Sequence, residues 1–358
     1  MPVLRIDPTL LQPAFDALEA RLRSGVITAG VAGVATGGEV LRLEALGHAA
    51  DGAPVTPDTR FFIASITKPI VATAVVQLAA EGRIALREPL RTYMPDLPES
   101  LSVVSAWHIL THTSGIPDDT FGEWAARAPR EELLWRAASR PLVFAPGSRY
   151  AYCSTSFYLL GELLATLDGV PFEESLRRRV LEPLRMRATS FDARQPPGSV
   201  VVPVGLPDGD LGPADLPALA AYLASIAQPG GGLWSTAGDL LRFARAYLDG
   251  GRLDGVDILP EAWVDLMGRE QTAGVREASP DGWLPEADPH YALGWGKPAG
   301  DGDIPCSDRA IAHGGISGTR LFVDPDRDLA IVVLANRWDV SEPSHAVIAA
   351  VHSALVSR

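Results

Sequence analysis

A proline four residues after a serine, at the head of an apolar run, constrains this chain more tightly than anything else in its sequence. Ser65-Ile66-Thr67-Lys68-Pro69-Ile70 leads straight into Val71-Ala72-Thr73-Ala74-Val75-Val76-Gln77-Leu78-Ala79-Ala80. A proline deep in a helix loses a hydrogen bond and clashes with the carbonyl four residues back, here that of Ser65. The helix is therefore expected to begin at or very near Ser65. Ile70 to Ala80 is too short to cross a bilayer and reads as a buried helix. Ser65 and Lys68, three apart, leave one helix face with hydroxyl and amine in reach. The serine sits at the positive end of the helix dipole, which favours a developing alkoxide, and burial lowers the proton affinity of a lysine beside it. The pair is a nucleophile next to a potential base.

Ser-x-x-Lys by itself also describes a helix cap followed by a solvated lysine. What sharpens the pattern here is scarcity, because the chain has only two lysines, Lys68 and Lys297, and otherwise uses arginine. Arginine cannot give up its proton at working pH, so position 68 is expected to need a group that can.

At 358 residues and 47% apolar content the chain has room for a sizeable core, as two domains or one large one. A formal charge of −13 with no basic run argues against nucleic-acid and anionic-membrane partners and leaves a small-molecule substrate as the simpler expectation. Met1 to Pro8 lacks a basic segment followed by an apolar one, so a cytoplasmic protein without a signal peptide is expected. Cys153 and Cys306 are expected to be reduced thiols. His108 and His112 stand four apart without acidic or cysteine partners and read as structural; no metal or other cofactor is expected. The glycines at 30, 33, 37 and 38 do not fit a dinucleotide fingerprint.

Taken in order, Leu11 to Arg23 reads as an amphipathic helix, and Ile27 to Ala35 with Val40 to Leu46 as a β-hairpin. Further helices are expected over Ser102–Thr113, Arg130–Ala138, Phe157–Leu167, Ala237–Leu248, Glu261–Met267 and Ser344–Leu355. Pro196 to Pro217 reads as a surface excursion, and strands are expected over Thr319–Val323 and Leu329–Leu334. Strands near both ends with helices between imply an α+β fold: an antiparallel β-sheet built from both chain ends and flanked by helices, with a mainly helical domain inserted. The expected boundaries are 1–80 with 195–358 for the sheet domain and 81–194 for the helical domain, with the active site between them.

A serine hydrolase also needs donors for the oxyanion and a group that passes the proton to the leaving group. No G-x-S-x-G elbow is present. Tyr152, in Tyr152-Cys153-Ser154, is a candidate proton shuttle, though taken alone it reads more readily as a buried aromatic with a satisfied hydroxyl. His313-Gly314-Gly315-Ile316 reads as a glycine-rich turn before a strand, where the Ile316 N–H and that of Ser65 are candidate oxyanion donors.

Ser65-x-x-Lys68, Tyr152-x-Ser154 and His313-Gly314-Gly315, in this order and spacing, resemble the serine β-lactamase and penicillin-binding-protein family, most closely class C β-lactamases and family VIII carboxylesterases. Leu110-Thr111-His112-Thr113-Ser114-Gly115, Gly231-Gly232-Leu233-Trp234-Ser235-Thr236 and Tyr291-Ala292-Leu293-Gly294-Trp295-Gly296 agree, and the likeness spans roughly residues 15 to 340. The resemblance implies that Ser65 is acylated, that Lys68 and Tyr152 share the roles of general base and acid as a coupled pair, and that Ser65 and Ile316 supply the oxyanion hole.

Two positions depart from class C enzymes. Ser154 stands where an asparagine is usual, and His313-Gly314-Gly315 replaces Lys-Thr-Gly, so the fixed positive charge that attracts a β-lactam carboxylate is absent. The expected function is therefore a carboxylesterase acting on small esters. The alternatives are a β-lactamase, a D-amino-acid amidase or peptidase, an acyltransferase, or a non-catalytic binding homologue.

Overall fold

The computed structural model describes residues 4–49, 51–192, 200–201, 216–278, 289–298, 306–338 and 342–357. Its centre is a five-stranded antiparallel sheet in the order Ile311–Gly315, Thr319–Asp324, Leu329–Ala335, Ala29–Ala35, Val40–Gly47. Leu329–Ala335, from near the end of the chain, pairs directly with Ala29–Ala35, from near its start.

Side chains on successive strand residues point to opposite faces, and both faces are apolar here. Val31, Leu321, Val323, Val332 and Leu334 enter the larger core. Val34, Phe322, Ile331 and Val333 enter a second core roofed by Phe15 and Leu18 of helix Gln12–Arg23 and by Val347, Ile348 and Val351 of helix Glu342–His352. Helix Ala237–Leu248 covers the other face, started by Thr236, whose hydroxyl accepts from the Asp239 N–H at 3.2 Å.

Helix Thr67–Ala80 is buried at every position from Thr67 to Ala79. A helix apolar all round cannot sit on a surface; each fully buried Ile, Val or Leu stabilises it by about 1.5–3 kcal/mol. The helix does not begin at Ser65 itself: Ala64–Ile66 is a 3-10 turn and the α-helix starts at Thr67, which puts Pro69 in the first turn, where a missing N–H costs nothing.

Other expectations are corrected. Ser102–Thr113 contains only a short helix, Ala106–Leu110, closed off because Thr111 Oγ1 donates back to the Trp107 carbonyl at 2.8 Å and His112 adopts a left-handed φ of 55°. His313-Gly314-Gly315 is not a turn but the end of the edge strand Ile311–Gly315, hidden because glycine is a poor strand former. The last helix stops at His352, and Leu355–Ser357 turns back as a strand pairing with Leu4–Ile6. Of the expected excursion Pro196 to Pro217, only residues 200–201 and 216–217 are among the described residues. Both cysteines are free thiols.

Candidate active site

The backbone around Ser65 is held from two sides. Ala64, just before it, has a left-handed φ of 43°, a costly conformation for a residue with a Cβ and one that persists only where its surroundings enforce it. On one side Ile63 N donates to the Leu233 carbonyl at 3.0 Å, and Thr67 Oγ1 donates to the Ala64 carbonyl at 2.7 Å while accepting from Leu233 N at 3.1 Å. On the other, Ser317 Oγ donates to the Phe62 carbonyl at 2.6 Å and Thr319 Oγ1 to the Ile63 carbonyl at 3.2 Å. A Cβ on Gly315 would lie 2.4 Å from the Ile63 carbonyl oxygen and 3.2 Å from Ala64 Cβ. That glycine lets the edge strand press against the serine turn, which brings the backbones of Ser65 and Ile316 onto adjoining turns.

Lys68 is fully buried, and its ammonium hydrogens have three acceptors: Ser65 Oγ at 3.2 Å, Ser154 Oγ at 2.9 Å and the Gly230 carbonyl at 2.7 Å. Its Nζ also lies 4.6 Å from the centre of the Tyr152 ring. Burial pulls its pKa down to about 7, with Asp118 and then Cys153 acting the other way. Gly230 is the close approach that makes this possible, since a Cβ there would meet the Ser154 carbonyl at 2.8 Å.

The Tyr152 hydroxyl is hydrogen-bonded to Ser65 and Ser154, and burial holds it protonated, far above the usual phenol range. Its loop is aligned by His112: Ala151 N donates to the His112 carbonyl at 2.8 Å, and Cys153 N donates to His112 Nδ1 at 3.1 Å. His108 instead closes a capping box with Ser105. Both histidines are structural, but they do not share a helix face, because the helix ends between them.

His313 Nδ1 lies 2.9 Å from the Gly314 carbonyl, and Nε2 lies 2.9 Å from the Tyr291 hydroxyl. A carbonyl only accepts, so Nδ1 carries the hydrogen and Nε2 accepts from the tyrosine. Burial, together with Lys68, drives the imidazole down to about 3, so His313 is neutral throughout the working range.

The sequence profile described as Beta-lactamase matches residues 15–355. The esterase EstB of Burkholderia gladioli is 30% identical over 94% of this chain and 95% of its own length. The chain belongs to the β-lactamase family. A penicillin-binding-protein homologue from Caulobacter crescentus superimposes with a TM-score of 0.81 at 22% identity over 98% of both chains. A family VIII carboxylesterase does so with a TM-score of 0.77 at 19% identity, again over 98% of both.

Within this β-lactamase-family fold, Ser65, Lys68, Tyr152 and Ser154 converge on one point, and His313-Gly314-Gly315-Ile316 lies along the neighbouring edge. Sequence reasoning missed two residues that shape the site. Asp118 Oδ1 accepts from the backbone N–H groups of Ser154 at 2.7 Å and Thr155 at 2.9 Å, and the Tyr291 hydroxyl donates to the Nε2 that the Gly314 carbonyl leaves unprotonated on His313. Tyr291 opened a segment already noted for its wording; Asp118, three residues beyond Gly115, carried no signal. Among the described residues no cluster of three or more metal-ligating side chains occurs, and no helix is long and apolar enough to cross a membrane.

Proposed function

We propose that this serine hydrolase, whose activity is of the esterase and β-lactamase type, cleaves small uncharged carboxylic esters through an acyl-enzyme on Ser65. Lys68 in its neutral form takes the Ser65 proton as Oγ attacks the ester carbonyl carbon. The oxyanion lies between the backbone N–H groups of Ser65 and Ile316. Tyr152, bonded to Ser65, passes the proton to the departing alkoxide, and water then releases the acid by the reverse sequence. Of the coupled pair, Lys68 is the base because its pKa is near 7 while the phenol is pushed upward. The observation that carries this reading is the fully buried Lys68 amine, 3.2 Å from Ser65 Oγ.

The preference for a neutral ester follows from His313, which offers no positive charge to a carboxylate beside the scissile bond. We take the acyl group to be small, on the assumption that segment 118–128 walls the acyl side of the site. At its start Asp118 accepts from the Ser154 and Thr155 N–H groups, its Trp124 packs on Trp338 with ring centres 5.8 Å apart, and the Ala128 carbonyl accepts from Tyr222 at 2.8 Å. We take 1–80 with 195–358 as the sheet domain, 81–194 as the helical domain, and the site as lying at their seam in a cytoplasmic protein.

The test is a substrate panel of p-nitrophenyl butyrate, nitrocefin and D-phenylalanine amide, with wild type and Ser65→Ala. The ester should be turned over with the highest kcat/KM, and Ser65→Ala should lose about 10⁴-fold. Faster turnover of nitrocefin or of the amide would replace the ester reading with that of a β-lactamase or an amidase. Absence of a fluorophosphonate adduct at Ser65 would leave only a binding protein.

A further inference from the structure

Asp118 belongs to none of the boxes that carry the chemistry, yet one of its oxygens grips two consecutive backbone N–H groups of the segment that carries Tyr152. Those groups, on Ser154 and Thr155, lie just before helix Phe157–Asp168, whose positive dipole end favours a carboxylate nearby. The next residue braces the same place, with Asp119 N donating to Thr155 Oγ1 at 3.1 Å. Ser154 Oγ, one residue's width from that carboxylate, is 2.9 Å from Lys68 Nζ.

The other titratable groups acting on Lys68 come from three different segments. Tyr152 and Cys153 are pushed up by burial, so phenol and thiol are both neutral at working pH. His112 and His313 are pushed down by burial, with Lys68 adding to it, so both imidazoles are neutral as well. Asp118 is left as the anion opposing this buried cation among these groups.

We propose that Asp118 is a positioning residue with two separable effects: its oxygen fixes the Tyr152–Ser154 segment against Ser65, and its negative charge keeps the Lys68 amine basic enough to take the serine proton. Burial alone would weaken the base further, and a base whose proton affinity falls too low transfers protons poorly. The inference rests on Lys68 being the base, as proposed above.

Asp118→Asn separates the two effects, because the amide oxygen still accepts from both N–H groups while the charge is gone. Two lysines make the readout direct. In protein labelled with ¹³C-lysine, Lys297→Arg identifies the Lys68 resonance, and its titration midpoint is followed by NMR without reference to activity. The Lys68 midpoint is expected to fall by about half a pH unit in Asp118→Asn, the effect being reduced because Asp118 is exposed. The acid limb of kcat/KM should move down with it, while kcat at pH 8 stays within about threefold. Asp118→Ala, which also loses the acceptor, should lower kcat about tenfold at every pH.

In the wild type, raising the salt to 1 M should lower the midpoint by screening the same charge, which keeps the test independent of how either variant folds. A Lys68 midpoint unmoved in Asp118→Asn and insensitive to salt overturns the proposal. A midpoint that moves while the rate limb stays fixed upholds the grip of Asp118 on Lys68 and overturns the base role instead.

Discussion

The two lysines of this chain sit in cages that look alike and differ in one chemical respect. Lys297 Nζ donates to the carbonyls of Gly268 at 3.0 Å, Asp308 at 2.7 Å and Ala310 at 2.8 Å, tying the end of helix Glu261–Gly268 to the approach of the edge strand. Lys68 also has three partners, but two of them are hydroxyls, on Ser65 and Ser154. Carbonyls only accept, so the three acceptors of the Lys297 cage suit a charged group with three or more N–H donors and leave a neutral amine one short. A hydroxyl both donates and accepts, so the Lys68 cage accommodates the amine as well as the ammonium. Lys297 is only partly buried, while Lys68 is sealed from water. One lysine is a clip and the other can exchange a proton, and the difference lies in their partners.

The comparison breaks most sharply under a swap to arginine at each site. Lys68→Arg, which cannot deprotonate, should lower kcat/KM for p-nitrophenyl butyrate about 10³-fold, with no recovery up to pH 9. Lys297→Arg should stay within about threefold of wild type; comparable losses at both positions would dissolve the distinction.

A smaller effect comes from pH alone. With the Lys68 pKa near 7, the amine is mostly protonated and inactive as a base at pH 6 and mostly neutral at pH 8. Wild-type kcat/KM should therefore rise about tenfold from pH 6 to pH 8 as a single titration. A flat profile across that range would show that no group with this pKa limits the reaction.

The smallest effect on activity, and the one that sharpens the structural half, is Lys297→Met. Three carbonyls lose their donor, at a cost of about 2–3 kcal/mol, which lowers Tm by roughly 5 °C in a chain of this size. Thermal unfolding should register the loss while kcat/KM changes less than twofold.

The elements that could be read in the sequence are those whose pattern is local and strong. Ala237–Leu248 has a capping threonine, an apolar stripe and terminal glycines, and its limits agree with the expected ones. Thr319–Asp324 and Leu329–Ala335 are apolar runs broken by Asp324-Pro325-Asp326, and they too lie within a residue of expectation. The elements that escaped are short or made of residues with no strand preference. Ile311–Gly315 ends in two glycines, and Leu4–Ile6 with Leu355–Ser357 is three residues on each side, stabilised by its partner from the other end of the chain.

At the site the divide is similar. Ser65, Lys68, Tyr152 and the His313-Gly314-Gly315 stretch could be picked out because their residue types carry chemistry, whereas Asp118 could not, because a carboxylate in a loop is commonplace until its partners are known.

The sequence alone determined to within a turn where the buried helix begins, that a serine and the scarcer basic residue stand three apart at its head, and that the central sheet draws on both ends of the chain. These follow from proline sterics, helix spacing and apolar alternation, which act over a few residues. Only the tertiary structure decided how basic Lys68 is, which tautomer His313 adopts, and that Asp118 stands behind the Tyr152 segment. Proton affinity depends on desolvation and on charges brought close in space; the Gly230 carbonyl that completes the Lys68 cage lies 162 residues away along the chain.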